Sequence, residues 1–124
     1  MHEFSTAVAI TENVLNSAKR ARAKKILSIR LEIGGLTLLN AEQVKFWVME
    51  GLKETIGAES KVKIENINPE ILCKNCGYLG DLHFIDDPTY HLSLPLFTCP
   101  QCNSSKIEIK KGKGCVIRDI QILK

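Results

Sequence analysis

No stretch of this 124-residue chain approaches the run of about 20 apolar residues that a membrane-spanning helix needs. Nor do charged, apolar and cleavable segments follow one another at its start as they do in a secretory leader. The expectation is a cytoplasmic protein without membrane association. Aromatic residues are scarce at 6%, and the basic residues lack the interleaved stacking side chains that nucleic-acid binders use. Charge of one sign is scarce too: the net charge is only +3, so its distribution carries more information than its sum. No Cys-His or Ser-His-Asp arrangement is visible, which argues against an enzyme. At 44% hydrophobic content the chain can bury one modest core.

Cysteine is the residue present in excess of what such a chain needs. C-K-N-C-G at Cys73 to Gly77 and C-P-Q-C at Cys99 to Cys102 place two Cys-x-x-Cys pairs with 22 residues between them. Each pair turns two thiolates inward from one tight turn, so Cys73, Cys76, Cys99 and Cys102 complete a tetrahedral sulfur shell for one structural zinc. Gly77 and Pro100 suit those turns. Two disulfides would leave Cys115 odd, and redox Cys-x-x-Cys motifs normally come singly near a βαβ pattern. A catalytic zinc needs an open position, which four thiolates do not leave. Residues 69–106 carry two Lys or Arg against four Asp or Glu, and four thiolates on one divalent ion add roughly two more negative charges. A lobe with Asp81, Asp86 and Asp87 near its knuckles repels phosphate. The class weighed against the one favoured below is a zinc-ribbon module for nucleic-acid or protein binding.

Phe4, Ala7, Val8, Ile10, Val14, Leu15, Ala18 and Ala21 collect on one side of a helical wheel and predict a helix from about Ser5 to Arg22. The cations that follow, from Lys19 to Lys25, read as partners of its C-terminal dipole. Leu27, Ile29, Leu31 and Ile33 alternate with polar residues as a half-buried strand, ended by Gly34-Gly35. A second helix opens at Asn40, with Gln43 at the capping-box position. Its buried stripe is Val44, Trp47, Val48, Leu52 and Ile56, Trp47 being read as core, and Gly57 is its stop. Val62 and Ile64 mark a second strand, and Pro69 a domain boundary. Ile107 to Ile109 reads as a strand closing the cysteine lobe. The tail from Cys115 to Leu123 is extended, with a phase change that predicts a β-bulge near Arg118 or Asp119. So apolar a strand must join the N-terminal sheet. The fold expected is α+β, a small mixed sheet with two helices over 1–68 and 107–124 and an inserted zinc-ribbon-like lobe over 69–106. Cys115 reads as a small buried hydrophobe, and His83 and His91 as solvated residues of a long loop between the knuckles.

The N-terminal Met-His-Glu, the helix-strand-helix-strand order, Cys73-x-x-Cys76-Gly77, Cys99-Pro100-x-Cys102 and the returning apolar strand together resemble the HypA/HybF family of hydrogenase nickel-insertion accessory proteins. The resemblance covers essentially the whole chain. It implies a metallochaperone that carries nickel on its α/β lobe and zinc in the cysteine lobe. It also implies delivery to the large subunit of [NiFe]-hydrogenase in concert with the GTPase HypB, leaves room for a homodimer, and leaves urease as a further recipient. Phe4 stands where the family usually has Met, and Gly34-Gly35-Leu36-Thr37 replaces the usual Gly-Glu-Leu-Ser. The terminus has matching chemistry: Met1 offers an α-amine, His2 an imidazole and an amide nitrogen, and Glu3 an amide nitrogen or a carboxylate. Donors so close along one chain end close small chelate rings in the flat, nitrogen-rich geometry that suits Ni(II) or Cu(II) and excludes Ca²⁺ and Mg²⁺.

Overall fold

A computed structural model of the chain describes residues 2–87 and 92–124. Two compact units emerge from its contacts, one of Met1–Ile33, Leu38–Asn66 and Cys115–Lys124, the other of Gly34–Thr37 and Ile67–Gly114.

In the first unit, helix α1 (Glu3–Arg20) and helix α2 (Ala41–Leu52) pack on a three-stranded sheet. Its strands are β1 (Lys25–Gly34), β2 (Lys61–Ile67) and β8 (Cys115–Leu123), in the order β2-β1-β8. The core joins Ala7, Ile10, Val14 and Ala18 of α1 to Ile26, Ile29, Leu31 and Ile33 of β1 and Val44, Val48 and Leu52 of α2. Every member is aliphatic. The returning strand does join this sheet: β8 runs antiparallel to β1, from Lys25 opposite Leu123 to Ile33 opposite Cys115.

Two register shifts interrupt that ladder. Arg30 faces Asp119 and Leu31 faces Ile117, so Arg118 is the extra residue, where the phase change predicts a bulge. The second shift lies between Ile26 and Ser28 and corrects the expected face of β1. With Leu27 as the extra residue, Ile26 turns into the core beside Ile29, and Leu27 turns out to solvent.

Both helices depart from the expected bounds. The first starts at Glu3, with His2 as N-cap, and ends where Arg22 takes a left-handed φ of 57°. Helix α2 is capped by Asn40, whose side chain accepts the Gln43 amide at 3.1 Å. It stops at Leu52 rather than near Gly57, because Glu54 turns left-handed (φ 63°) and Thr55 supplies its own amide to the Leu52 carbonyl at 3.1 Å. Gly57 serves packing instead: a Cβ there would lie 2.8 Å from a Leu52 methyl. Ile56, Trp47, Phe4 and Val8 are exposed, against the expected stripes.

The second unit has strands β3 (Glu70–Cys73), β4 (Leu79–Asp81) and β7 (Ile107–Lys111), ordered β4-β3-β7, and the antiparallel pair β5 (His83–Asp87) and β6 (Leu92–Leu96). Because β7 pairs with β3, residues 107–114 belong with the cysteines, and the boundary expected at 107 moves to Cys115. The span between the knuckles, read above as a long loop, holds three strands. His83 opens β5, while His91 lies outside the described residues.

Candidate metal centre

Each cysteine pair sits on a turn of the same construction. The Cys73 carbonyl accepts the Gly77 amide at 2.9 Å, and its own amide reaches the Tyr78 carbonyl at 2.7 Å. In the second turn the Cys99 carbonyl accepts the Asn103 amide at 2.9 Å, and the Cys99 amide reaches the Ser104 carbonyl at 2.8 Å. The residue after each second cysteine is left-handed, Gly77 at φ 80° and Asn103 at φ 61°. Glycine and asparagine are the residues that adopt this conformation at least cost. Asn103 escaped the sequence reading, and the signal for it is positional: it follows Cys102 as Gly77 follows Cys76.

The four sulfurs lie within 4.8 Å of one another. Cys73 Sγ is 3.6 Å from Cys102 Sγ, and Cys76 Sγ is 3.6 Å from Cys99 Sγ. Four sulfurs at about 2.3 Å from a tetrahedral zinc stand roughly 3.8 Å apart, so the cluster fits such an ion with little adjustment. Backbone amides of Cys76 and Gln101 point at Cys73 Sγ (3.4 Å) and Cys99 Sγ (3.3 Å), and the Asn75 side chain donates to Cys102 Sγ at 3.6 Å. Hydrogen bonding to the Ser104 backbone, and then to Asn75, brings the Cys102 thiol down to about 6. At Cys76 the Tyr78 backbone also favours the thiolate, but burial and the bonds to Cys102, Cys99 and Cys73 push it up to about 12. A divalent cation held by these four sulfurs would itself favour their thiolate forms. Cys73 and Cys99 are buried, Cys102 half-buried and Cys76 exposed. Outside residues 83–96, Ile71 and Leu82 are the other apolar side chains of this unit that are buried. Cys115 stands apart, half-buried on β8, with burial raising its thiol.

The second candidate site is the head of α1. Met1 lies outside the described residues. His2 is exposed at the N-cap, its carbonyl accepting the Thr6 amide at 2.9 Å while its imidazole makes no capping bond. Glu3 is buried, and its carboxylate accepts the Asn40 amide at 3.1 Å. Hydrogen bonding, that of the Asn40 amide included, lowers its carboxyl to about 2. Asn40 is therefore both the cap of α2 and the anchor of α1, a link across 37 positions that no local pattern announces.

The family model described as "Hydrogenase/urease nickel incorporation, metallochaperone, hypA" matches residues 1–122. The chain belongs to that family. Curated relatives include the hydrogenase maturation factor HypA of Methanocaldococcus jannaschii, 33% identical over 98% of this chain and 97% of that one. The HypA of Methanococcus aeolicus is 37% identical over 96% and 94% of the two chains. The solution structure of the Ni metallochaperone HypA from Helicobacter pylori superposes with a TM-score of 0.68 at 19% identity, covering 99% of this chain and 98% of that one. At that identity the likeness concerns the fold, which in this chain is α+β. No helix among the described residues is long and apolar enough to cross a membrane.

Proposed function

We propose that the chain binds Ni(II) as cargo at its N-terminus and helps to insert it into the large subunit of [NiFe]-hydrogenase, with the GTPase HypB as its partner. The donors are the Met1 amine, the His2 imidazole and amide nitrogen, and the Glu3 amide nitrogen. The observation that carries the reading is the exposed His2 imidazole at the head of α1, without a capping bond, in a chain whose family match begins at residue 1. The engagement of the Glu3 carboxylate by Asn40 favours the backbone nitrogen of Glu3 over its side chain as donor. The cysteine cluster holds zinc as a structural ion, closed to substrate, and the reading assigns no turnover to either site.

The test separates the two metals. A single residue added before Met1 moves the amine away from His2, and His2→Ala removes the imidazole. Both changes are expected to lower nickel affinity at least 100-fold by isothermal titration of untagged protein, with zinc content and melting temperature unchanged. An extended protein that binds one nickel as tightly as the parent would place the site elsewhere, with His83 and His91 next to be replaced.

A further inference from the structure

Soluble chains of this composition ordinarily bury their few large aromatic side chains, since these carry the most apolar area. Here the core of the first unit is aliphatic, and three aromatics stand together on the surface. Phe4 is 51% exposed, Trp47 39% and Phe46 54%, with Val8 beside them at 43%. The Phe4 and Trp47 rings meet edge to face at 4.9 Å, and those of Phe46 and Trp47 at 5.0 Å.

Phe4, Val8 and Trp47 line a groove of about 330 Å³ between α1 and α2. At Gly51, which also lines it, the helices come so close that a Cβ would stand 3.1 Å from the Thr11 hydroxyl. Its polar lining includes two carboxylates, Glu12 from α1 and Glu50 from α2. No lysine or arginine precedes Lys19 in α1. Glu50 holds Lys53 at 2.9 Å, a surface pair that an incoming cation can share or replace at small cost.

We propose that this groove docks an amphipathic helix of a partner protein, with aliphatic or aromatic side chains set against Phe4, Val8 and Trp47 and lysine or arginine set against Glu12 and Glu50. The shape is that of helix-in-groove recognition, in which side chains one helical turn apart fill an apolar channel. Exposed Trp and Phe supply the anchors that dominate such interfaces. The acidic rim selects the charge of the occupant and disfavours an anionic lipid surface. The groove begins at Phe4, directly after the terminal Met-His-Glu, so a docked helix lies beside the head of α1. The inference stands on the groove alone and is independent of the metal carried there.

Trp47 is the sole tryptophan of the chain, so its fluorescence reports occupancy directly. The probes are two synthetic amphipathic helices with the same leucine and phenylalanine face, one flanked by lysine and arginine, the other by glutamate. The basic helix is expected to shift Trp47 emission to the blue with a dissociation constant in the micromolar range, and the acidic helix to bind at least tenfold more weakly. Val8→Asp should weaken the basic helix at least tenfold, and Glu12→Lys with Glu50→Lys should reverse the preference. Circular dichroism checks that each variant remains folded, as exposed positions allow. The proposal is overturned if neither helix shifts Trp47, if both bind equally, or if Val8→Asp changes nothing. It is equally overturned if anionic phosphatidylglycerol vesicles produce the shift that the basic helix does not, or if sedimentation shows a dimer that Val8→Asp dissociates.

Discussion

Gly77 and Asn103 occupy matching left-handed positions, yet they differ in what a substitution there should cost. A Cβ built on Gly77 meets nothing within 4 Å, so Gly77→Ala is opposed by the backbone alone, about 1 kcal/mol. Asn103→Gly keeps the conformation accessible and should change stability by no more than a few tenths of a kcal/mol. Thermal melting of the metal-loaded protein should rank the two in that order; equal losses would mean that the left-handed turn is not what these residues supply. The four cysteines were legible in the sequence because their spacing is local and their chemistry admits few uses. The exposure of Trp47 was not legible, since a helical wheel shows which residues share a face but not how wide a strip the neighbouring helix covers. The bond from the Asn40 amide to Glu3 was hidden for another reason: capping accounts for Asn40 fully, and its second role depends on two helices meeting.

Strand β8 shows what a sequence pattern can and cannot locate. Its own phase change marks the bulge at Arg118, whereas the slip that turns Leu27 outward leaves no break in the Leu27, Ile29, Leu31, Ile33 alternation and appears only when β1 finds its partner. Beside the Arg118 bulge, Arg30 and Asp119 face each other across the strands, with Arg30 Nε 2.8 Å from the carboxylate and a second contact from its terminal nitrogen. The hydrogen bond from Arg30, followed by its charge, lowers the Asp119 carboxyl below its ordinary 3.8. A carboxyl whose folded pKa is depressed stabilises the fold above its unfolded pKa, and that contribution is lost as pH falls through the folded value. The pair is well exposed, so the effect is small. Asp119→Asn should therefore melt slightly below the parent at pH 7, and the two melting curves should converge below about pH 4. A gap of the same size at pH 3 and pH 7 would remove the ion pair as its source.

For the molecule as a whole, the two units should respond differently to loss of the cysteine-bound metal. Replacing Cys99 by Ser removes one of the two buried sulfurs of the cluster, and structural sites of this kind contribute of order 10 kcal/mol to folding. We expect Cys99→Ser to lose its zinc and the structure of residues 67–114, while the helical circular dichroism signal and the Trp47 emission of the first unit persist with a lower melting temperature. Full zinc content in that variant would exclude the four-thiolate site. The lower melting temperature follows from how the chain is threaded. Arg30 and Asp119 are 89 positions apart, and closing so long a loop of loose chain costs about 4 kcal/mol. Within the second unit, however, the Gly34 amide bonds the Gly114 carbonyl and the Leu36 amide bonds the Gly112 carbonyl, each at 3.0 Å. A second unit already folded would therefore hold the end of β1 next to the start of β8. A strand held this way meets its partner at the effective concentration of a short linker. Were residues 67–114 to lose their structure, the strand would have to search for that edge from the far end of a long loop.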